Sequence, residues 1–144
     1  MNETSAANDT KALLERGIEL WNAHDRDGWV GLFDERAELE APGGLRVSGR
    51  AGAEQFYDTW NEAFPDSAIQ DAVVFGTARQ GAEEAKFGGT HTGTLRSPAG
   101  DIPATGKAVL SRYAAVSRVE DGRITSFHMY FDLVEVLTQL GVMP

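Results

Sequence analysis

Acid/base chemistry in this chain has few candidate carriers, because the sequence holds no cysteine and only three histidines. Thiolate nucleophiles, disulfides and Cys-based metal sites are thereby excluded. Asp132 stands out: it follows the aromatic run Phe127 to Phe131 and opens the apolar-periodic stretch Leu133 to Leu140. Beside Phe127, Met129 and Phe131 a carboxylate would lose hydration, its pKa would rise toward neutrality, and it could serve as general acid or base. The same residue fits a helix cap, with Glu135 three positions on and Val136, Leu137 and Leu140 facing a core. Both roles stay open, and they can coexist.

His91 is the second candidate. It lies in Gly89-Thr-His-Thr-Gly93 on an expected strand, where the glycines admit close approach of a substrate or of another backbone segment. Imidazole suits proton transfer at neutral pH; a buried imidazole bonded to a neighbour is the alternative. Counting alternation, His91 shares a face with Phe87 and Gly89, the inner one. His24 sits in a helix-ending turn and His128 alternates with Phe127 and Met129, so both read as structural. Three histidines without close i, i+2 or i, i+4 pairing predict no metal site. The absence of a Gly-x-Gly-x-x-Gly, P-loop or Gly-x-Ser-x-Gly pattern implies no nucleotide site and no serine elbow.

The elements that position these residues follow from periodicity. Leu13, Leu14, Gly17, Ile18 and Trp21 share one face of a helix spanning Thr10 to Ala23. Residues 1–9 read as a disordered tail, and residues 10–144 as one domain. A shorter helix carries Trp29, Leu32 and Phe33, and Glu38 to Glu40 is a short strand. Ser48 is the expected N-cap of a helix from Arg50 to Phe64, with Ala53, Phe56, Tyr57 and Trp60 on one stripe. Strands follow over Ile69–Ala78, Glu83–Leu95, Lys107–Val119 and Arg123–Phe131, punctuated by Gln80-Gly81 and Asp121-Gly122. Helices first, then an antiparallel meander, then a short C-terminal helix is an α+β order. Glycines in the strands allow the sheet to curl into a cone, with the helices closing its concave side over a cavity.

Composition narrows the function classes. The formal net charge is −9, from 22 acidic against 13 basic residues, with no basic cluster. Nucleic acid and anionic membrane surfaces are therefore disfavoured as partners. No run is apolar enough to span a bilayer and the polar N-terminus lacks a secretory pattern, so the cytoplasm is the default compartment.

Several motifs together carry a family resemblance: Trp21-Asn-Ala-His-Asp25, Gly49-Arg-Ala-Gly52, Gly89-Thr-His-Thr-Gly93, Ala104-Thr-Gly-Lys107, Val119 to Ile124, and Phe131-Asp132 leading to Gly141. Over roughly residues 10–143 the chain resembles the SnoaL-like polyketide cyclase family of ester-cyclase type. That family lies in the nuclear-transport-factor-2-like superfamily of cone-shaped α+β barrels. The resemblance implies a homodimer and a pocket for a hydrophobic small molecule. In the aldol-cyclising members a catalytic Asp in the last strand is assisted by a His on the preceding one. Here Met129 and Ala115 occupy those places, and neither moves a proton. Relatives associated with hydroxylation resemble the Tyr130-Phe-Asp132 run more closely, with Asp132 as the retained carboxylate.

By the same resemblance Tyr113 shares the cavity side with Ala115 and could donate to a substrate oxyanion, or be a core tyrosine with a satisfied hydroxyl. Glu40, near the expected cavity mouth, could be a second carboxylate or simply solvated. Trp29, Phe33, Tyr57 and Trp60, with Phe127 and Met129, would wall the pocket for a flat hydrophobic ligand. The expected function is a small, cofactor-independent acid/base enzyme of cyclase, isomerase, hydrolase or hydroxylation-assisting type. Its substrate would be a hydrophobic carbonyl- or epoxide-bearing molecule of polyketide-type biosynthesis. The alternatives are a non-catalytic binding module and a dimeric interaction domain on the same fold.

Overall fold

The computed structural model describes residues 2–143. Four helices and six strands follow in the order α1 (Glu3–Asn22), α2 (Arg26–Val30), β1 (Phe33–Ala41), β2 (Leu45–Ser48), α3 (Gly49–Ala63), β3 (Ala68–Gly76), β4 (Gln80–Thr90), β5 (Ala108–Glu120), β6 (Arg123–Phe131) and α4 (Leu133–Gln139). The strands form one sheet in the order β2-β1-β6-β5-β4-β3. All neighbours are antiparallel except β1 and β6, which run parallel. This is the expected α+β architecture: N-terminal helices on a mostly antiparallel sheet, closed by a short C-terminal helix.

The register makes the sheet two-faced. Along β5 burial alternates, with Val109, Ser111, Tyr113, Ala115, Ser117 and Val119 buried and Ala108, Leu110, Arg112, Arg118 and Glu120 exposed. Period-two alternation of this kind puts every odd position on the helix side. There an aromatic cluster forms between sheet and helices. Trp29 meets Trp21 edge-on at 5.3 Å, stacks on Phe56 at 5.9 Å and meets Phe127 edge-on at 6.0 Å. Each such pair adds about 0.5–1.5 kcal/mol to simple area burial. A second, smaller cluster joins Phe64, Val109, Val136 and Leu140 where α4 folds back.

Several boundaries differ from the sequence expectation, each for a tertiary reason. Residues 3–9, expected as a disordered tail, belong to α1; Met1 lies outside the described residues. The Asn2 side chain accepts from the Ser5 N–H at 2.8 Å, capping the helix. Gly76 at the end of β3 leaves room for the Ala7 carbonyl, so the first turns have something to rest on. Phe33, expected in a helix, begins β1, because the Ile124 N–H donates to the Leu32 carbonyl at 2.9 Å and parallel pairing takes over. The edge strand β2 was not anticipated. It is returned by Gly43 and Gly44, whose φ of 92° and 86° suit glycine. Among the described residues no helix is long and apolar enough to cross a membrane.

Candidate active site

Between the inner face of the sheet and helices α1 to α3 lies an apolar cavity, open to solvent at its mouth, in which the centre of a water-sized sphere can range over about 60 Å³. Trp29, Phe33, Phe56, Trp60, Phe127 and Met129 are among its walls. Across its floor the register lines up Glu83 on β4 with Ala115 on β5, and Ala115 in turn with Met129 on β6. Ala115 and Met129 are the places where the cyclising relatives are expected to carry His and Asp. The carboxylate of this chain thus stands in the same cross-strand row, but two strands from Met129, on β4.

Glu83 and Tyr113 both line the cavity and are each only 6% exposed. Tyr113 Oη donates to Glu83 Oε2 at 2.6 Å. The geometry is that of a short hydrogen bond to a carboxylate oxygen in an enclosed site. Burial pushes the Glu83 carboxyl up to about 7, and the hydrogen bond from Tyr113 pulls in the opposite direction without cancelling it. Burial, and then the adjacent Glu83 charge, push the Tyr113 phenol well above its ordinary range. At neutral pH Glu83 is therefore poised between acid and base, while Tyr113 keeps its proton and serves as a donor. Among the described lining residues the only other titratable side chain is Arg112, which is exposed and of opposite strand parity.

The expected residues are distributed unevenly around this centre. Trp29, Phe33, Trp60, Phe127 and Met129 wall the cavity with Tyr113. Tyr57 is buried beside Trp21, ring centroids 5.0 Å apart, and does not line the cavity. Asp132, considered as the proton-exchanging group, is not among the lining residues. Phe131 uses the inward position of β6, the next residue turns outward, and the Asp132 carboxylate accepts from the Glu135 N–H at 3.1 Å. The geometry is that of the N-cap.

Glu40 likewise stands off the cavity. Its strand neighbour Leu39 takes the buried position, and Glu40 bonds Arg46 Nε at 2.8 Å on the outer face. Arg46 holds the Glu40 carboxyl below its usual range, with His128 Nε2 3.8 Å away. His91 is fully buried but lies apart from the cavity walls. Its Nδ1 accepts from the Thr105 N–H at 3.2 Å and lies 3.0 Å from Thr105 Oγ1, and its ring packs on Phe64 at 5.3 Å. Burial lowers its pKa, so it rests neutral.

The glycines flanking His91 admit protein. A Cβ on Gly89 would stand 2.9 Å from Phe64 Cβ, and one on Gly93 would run into the Glu62 carbonyl. The chain here turns out of β4 at Thr90, held by Asp66 through the backbone at 2.7 Å and the hydroxyl at 2.8 Å. The strand therefore stops short of Leu95.

Glu83 was missed as a site residue although the sequence carries its signal. The alternation that puts His91, Gly89 and Phe87 on the inner face runs back through Ala85 to Glu83. A lone carboxylate at an inward position of an otherwise small or apolar row is the pattern that marks a desolvated acid. Among the described residues no group of three His, Cys, Asp or Glu side chains could hold a metal ion.

Comparison with known proteins agrees with this architecture. A candidate polyketide cyclase from Xanthomonas campestris superposes with a TM-score of 0.83 at 23% identity, covering 94% of this chain and 98% of its own. A candidate polyketide cyclase from Streptomyces antibioticus, IdmH, is 27% identical with a TM-score of 0.69 over 91% of this chain and 97% of its own. AclR, a candidate hydroxylase from Streptomyces galilaeus, gives 0.76 at 21% identity over 93% of this chain and 85% of its own. Among curated proteins none matches the sequence. The sequence pattern of one family matches from residue 11 to residue 140, nearly the whole chain, and the protein belongs to that family, the SnoaL-like polyketide cyclases.

Proposed function

We propose that the protein is a cofactor-independent acid/base catalyst acting on an uncharged, flat, carbonyl-bearing small molecule of polyketide type. As Glu83 takes a proton from the carbon next to the carbonyl, the Tyr113 O–H turns from Glu83 to the oxygen on which negative charge develops. The observation that carries this reading is the Glu83–Tyr113 pair, enclosed in an apolar cavity with the carboxyl near pH 7. An acid matched to the ambient pH moves a proton either way with little driving force lost. The low polarity of the walls strengthens the hydrogen bond from Tyr113.

The test is solvent deuterium exchange into the acetyl group of 2-acetylnaphthalene, followed by proton NMR. Wild-type protein should accelerate exchange, and Glu83→Gln should lower that acceleration by about 100-fold or more. Asp132→Asn should leave it unchanged. Exchange that survives in Glu83→Gln and vanishes in Asp132→Asn would move the chemistry to the cap residue and defeat this assignment.

Met129 and Ala115 in the cyclase positions favour a second reading, a non-catalytic binding module with the same pocket. It predicts that the ketone binds while exchange proceeds at the uncatalysed rate. We also propose a homodimer formed through the outer sheet face, on which Phe75 is 65%, Tyr130 57%, Leu110 51% and Val73 50% exposed.

A further inference from the structure

One wall residue of the cavity carries a buried polar group that the acid/base pair does not use. Trp60 lines the cavity from α3, and its indole N–H is enclosed without a hydrogen-bond partner among the described residues. The buried Trp21 offers a contrast: its N–H donates to Ser67 Oγ at 3.1 Å. An indole N–H can only donate, and burying it without an acceptor carries a free-energy penalty. Ser111, also a lining residue and 5% exposed, makes only a long bond of 3.4 Å to the Arg112 carbonyl.

Ring contacts and strand register set the two residues in the same part of the cavity wall. Trp60 meets Phe87 at 6.1 Å and Phe131 at 5.5 Å, both edge-on. Phe87 pairs with Ser111 across β4 and β5, and Phe131 pairs with Tyr113 across β5 and β6. Trp60 therefore stands over the Ser111 to Tyr113 stretch of β5, whereas Glu83 pairs with Ala115 farther along. Two to four residues of strand separate the poles, roughly 7–13 Å at the rise of an extended chain.

We propose that Trp60 Nε1, together with Ser111 Oγ, binds an acceptor oxygen at the end of the ligand remote from Glu83. The substrate class is then an uncharged, fused-ring molecule about two rings long with oxygens at both ends. One is the carbonyl at which Glu83 and Tyr113 act, and the other is a carbonyl or ether oxygen held by Trp60. This rests on the proposed acid/base reading for the first oxygen only. A site that hydrogen-bonds a substrate oxygen rejects the analogue lacking it, because the buried donor is then left unpaired. Trp60 is in this sense a specificity-determining residue.

Two probes of one shape separate the roles. 2,6-Diacetylnaphthalene carries both oxygens, whereas 2-acetyl-6-isopropenylnaphthalene replaces the second by a methylene group. By calorimetry on wild-type protein the diketone should bind about five- to tenfold more tightly, the usual worth of one hydrogen bond. Trp60→Phe should erase that difference while changing the affinity of the isopropenyl probe less. A readout free of substitution is the Trp60 indole N–H resonance in a proton–nitrogen correlation spectrum. It should move downfield with the diketone and not with its analogue. Equal affinities in wild type, an equal loss of both probes in Trp60→Phe, an indole resonance indifferent to the second oxygen, or no binding of either probe would each overturn the proposal. Because binding is read without turnover, a catalytic failure shows separately: deuterium exchange into the acetyl groups would be absent while the affinity difference persists.

Discussion

A carboxyl group that titrates near pH 7 inside a folded chain weakens the fold wherever it is ionised. Glu83 has a folded-state pKa of about 7 against an ordinary value of 4.5, raised mainly by burial. The folded state thus holds this proton more tightly than the unfolded state does. Its contribution to stability is complete below about pH 4.5 and is lost as the pH climbs through 7, a loss on the order of 3 kcal/mol. Glu83→Gln has no charge to desolvate and keeps a group that can accept from Tyr113. The melting temperature of the variant minus that of wild type should therefore rise between about pH 5 and pH 8, by several degrees for a domain of this size. The difference matters because the buried neutral His91 acts with the opposite sign at the acidic end: its lowered pKa makes stability fall as pH drops. It cancels in the comparison, provided the substitution leaves its surroundings alone. A flat difference across that range would mean that Glu83 is hydrated and ordinary in acidity, and the acid/base role would lose its physical basis.

At the scale of elements the junction between β6 and α4 shows how much structure one side chain can carry. Asp132 bonds the Glu135 N–H; no return bond from the Glu135 side chain to the Asp132 N–H accompanies it, so the capping box is half built. Asp132→Ala should cost about 1 kcal/mol in chemical denaturation and leave proton exchange at Glu83 untouched. Loss of exchange at unchanged stability would return Asp132 to the catalytic role. The direction of its side chain follows from parity: with Phe131 facing inward, the next residue leaves the cavity. Parity was readable in advance on the first half of β4 and along β5, where buried positions recur every second residue, so the face of Tyr113 followed from the sequence together with the family resemblance. Glu83 was legible on the same grounds, since it shares the inner row of β4, but it lies in none of the motifs that carry the family resemblance. What periodicity could not supply was pairing between distant segments. The parallel join of β1 to β6 turned Phe33 from a helix residue into a strand residue, and the packing of Gly89 and Gly93 on the end of α3 made their motif structural. Both depend on chain contacts that no local pattern encodes.

The whole molecule presents two surfaces of opposite character, a concave one closed by helices and a convex one that the chain itself leaves uncovered. On the convex side the register sets Phe75, Ala82, Val116, His128, Glu40 and Arg46 in one row across all six strands. Next to it Val73, Glu84, Ala114 and Tyr130 form a second row. The apolar groups run from β3 to β6 with Glu84 among them, and the ion pair of Glu40 and Arg46 lies toward β1 and β2. A patch that pairs with its own copy about a twofold axis buries its apolar centre and leaves such charges at the rim. Opposing this is a net charge of −9 per chain, which repels a second copy and is screened by salt. The proposed homodimer therefore has a specific signature. Light scattering should give a dimer mass whose dissociation constant falls as salt rises, the reverse of an assembly held by ion pairs across its interface. Phe75→Glu combined with Tyr130→Glu should yield a monomer that still binds 2-acetylnaphthalene, because the cavity opens on the other side of the sheet. A wild-type chain that stays monomeric at about 0.1 mM in high salt would remove the dimer. A double variant that loses the ketone together with the dimer would instead show that the second copy helps to shape the cavity.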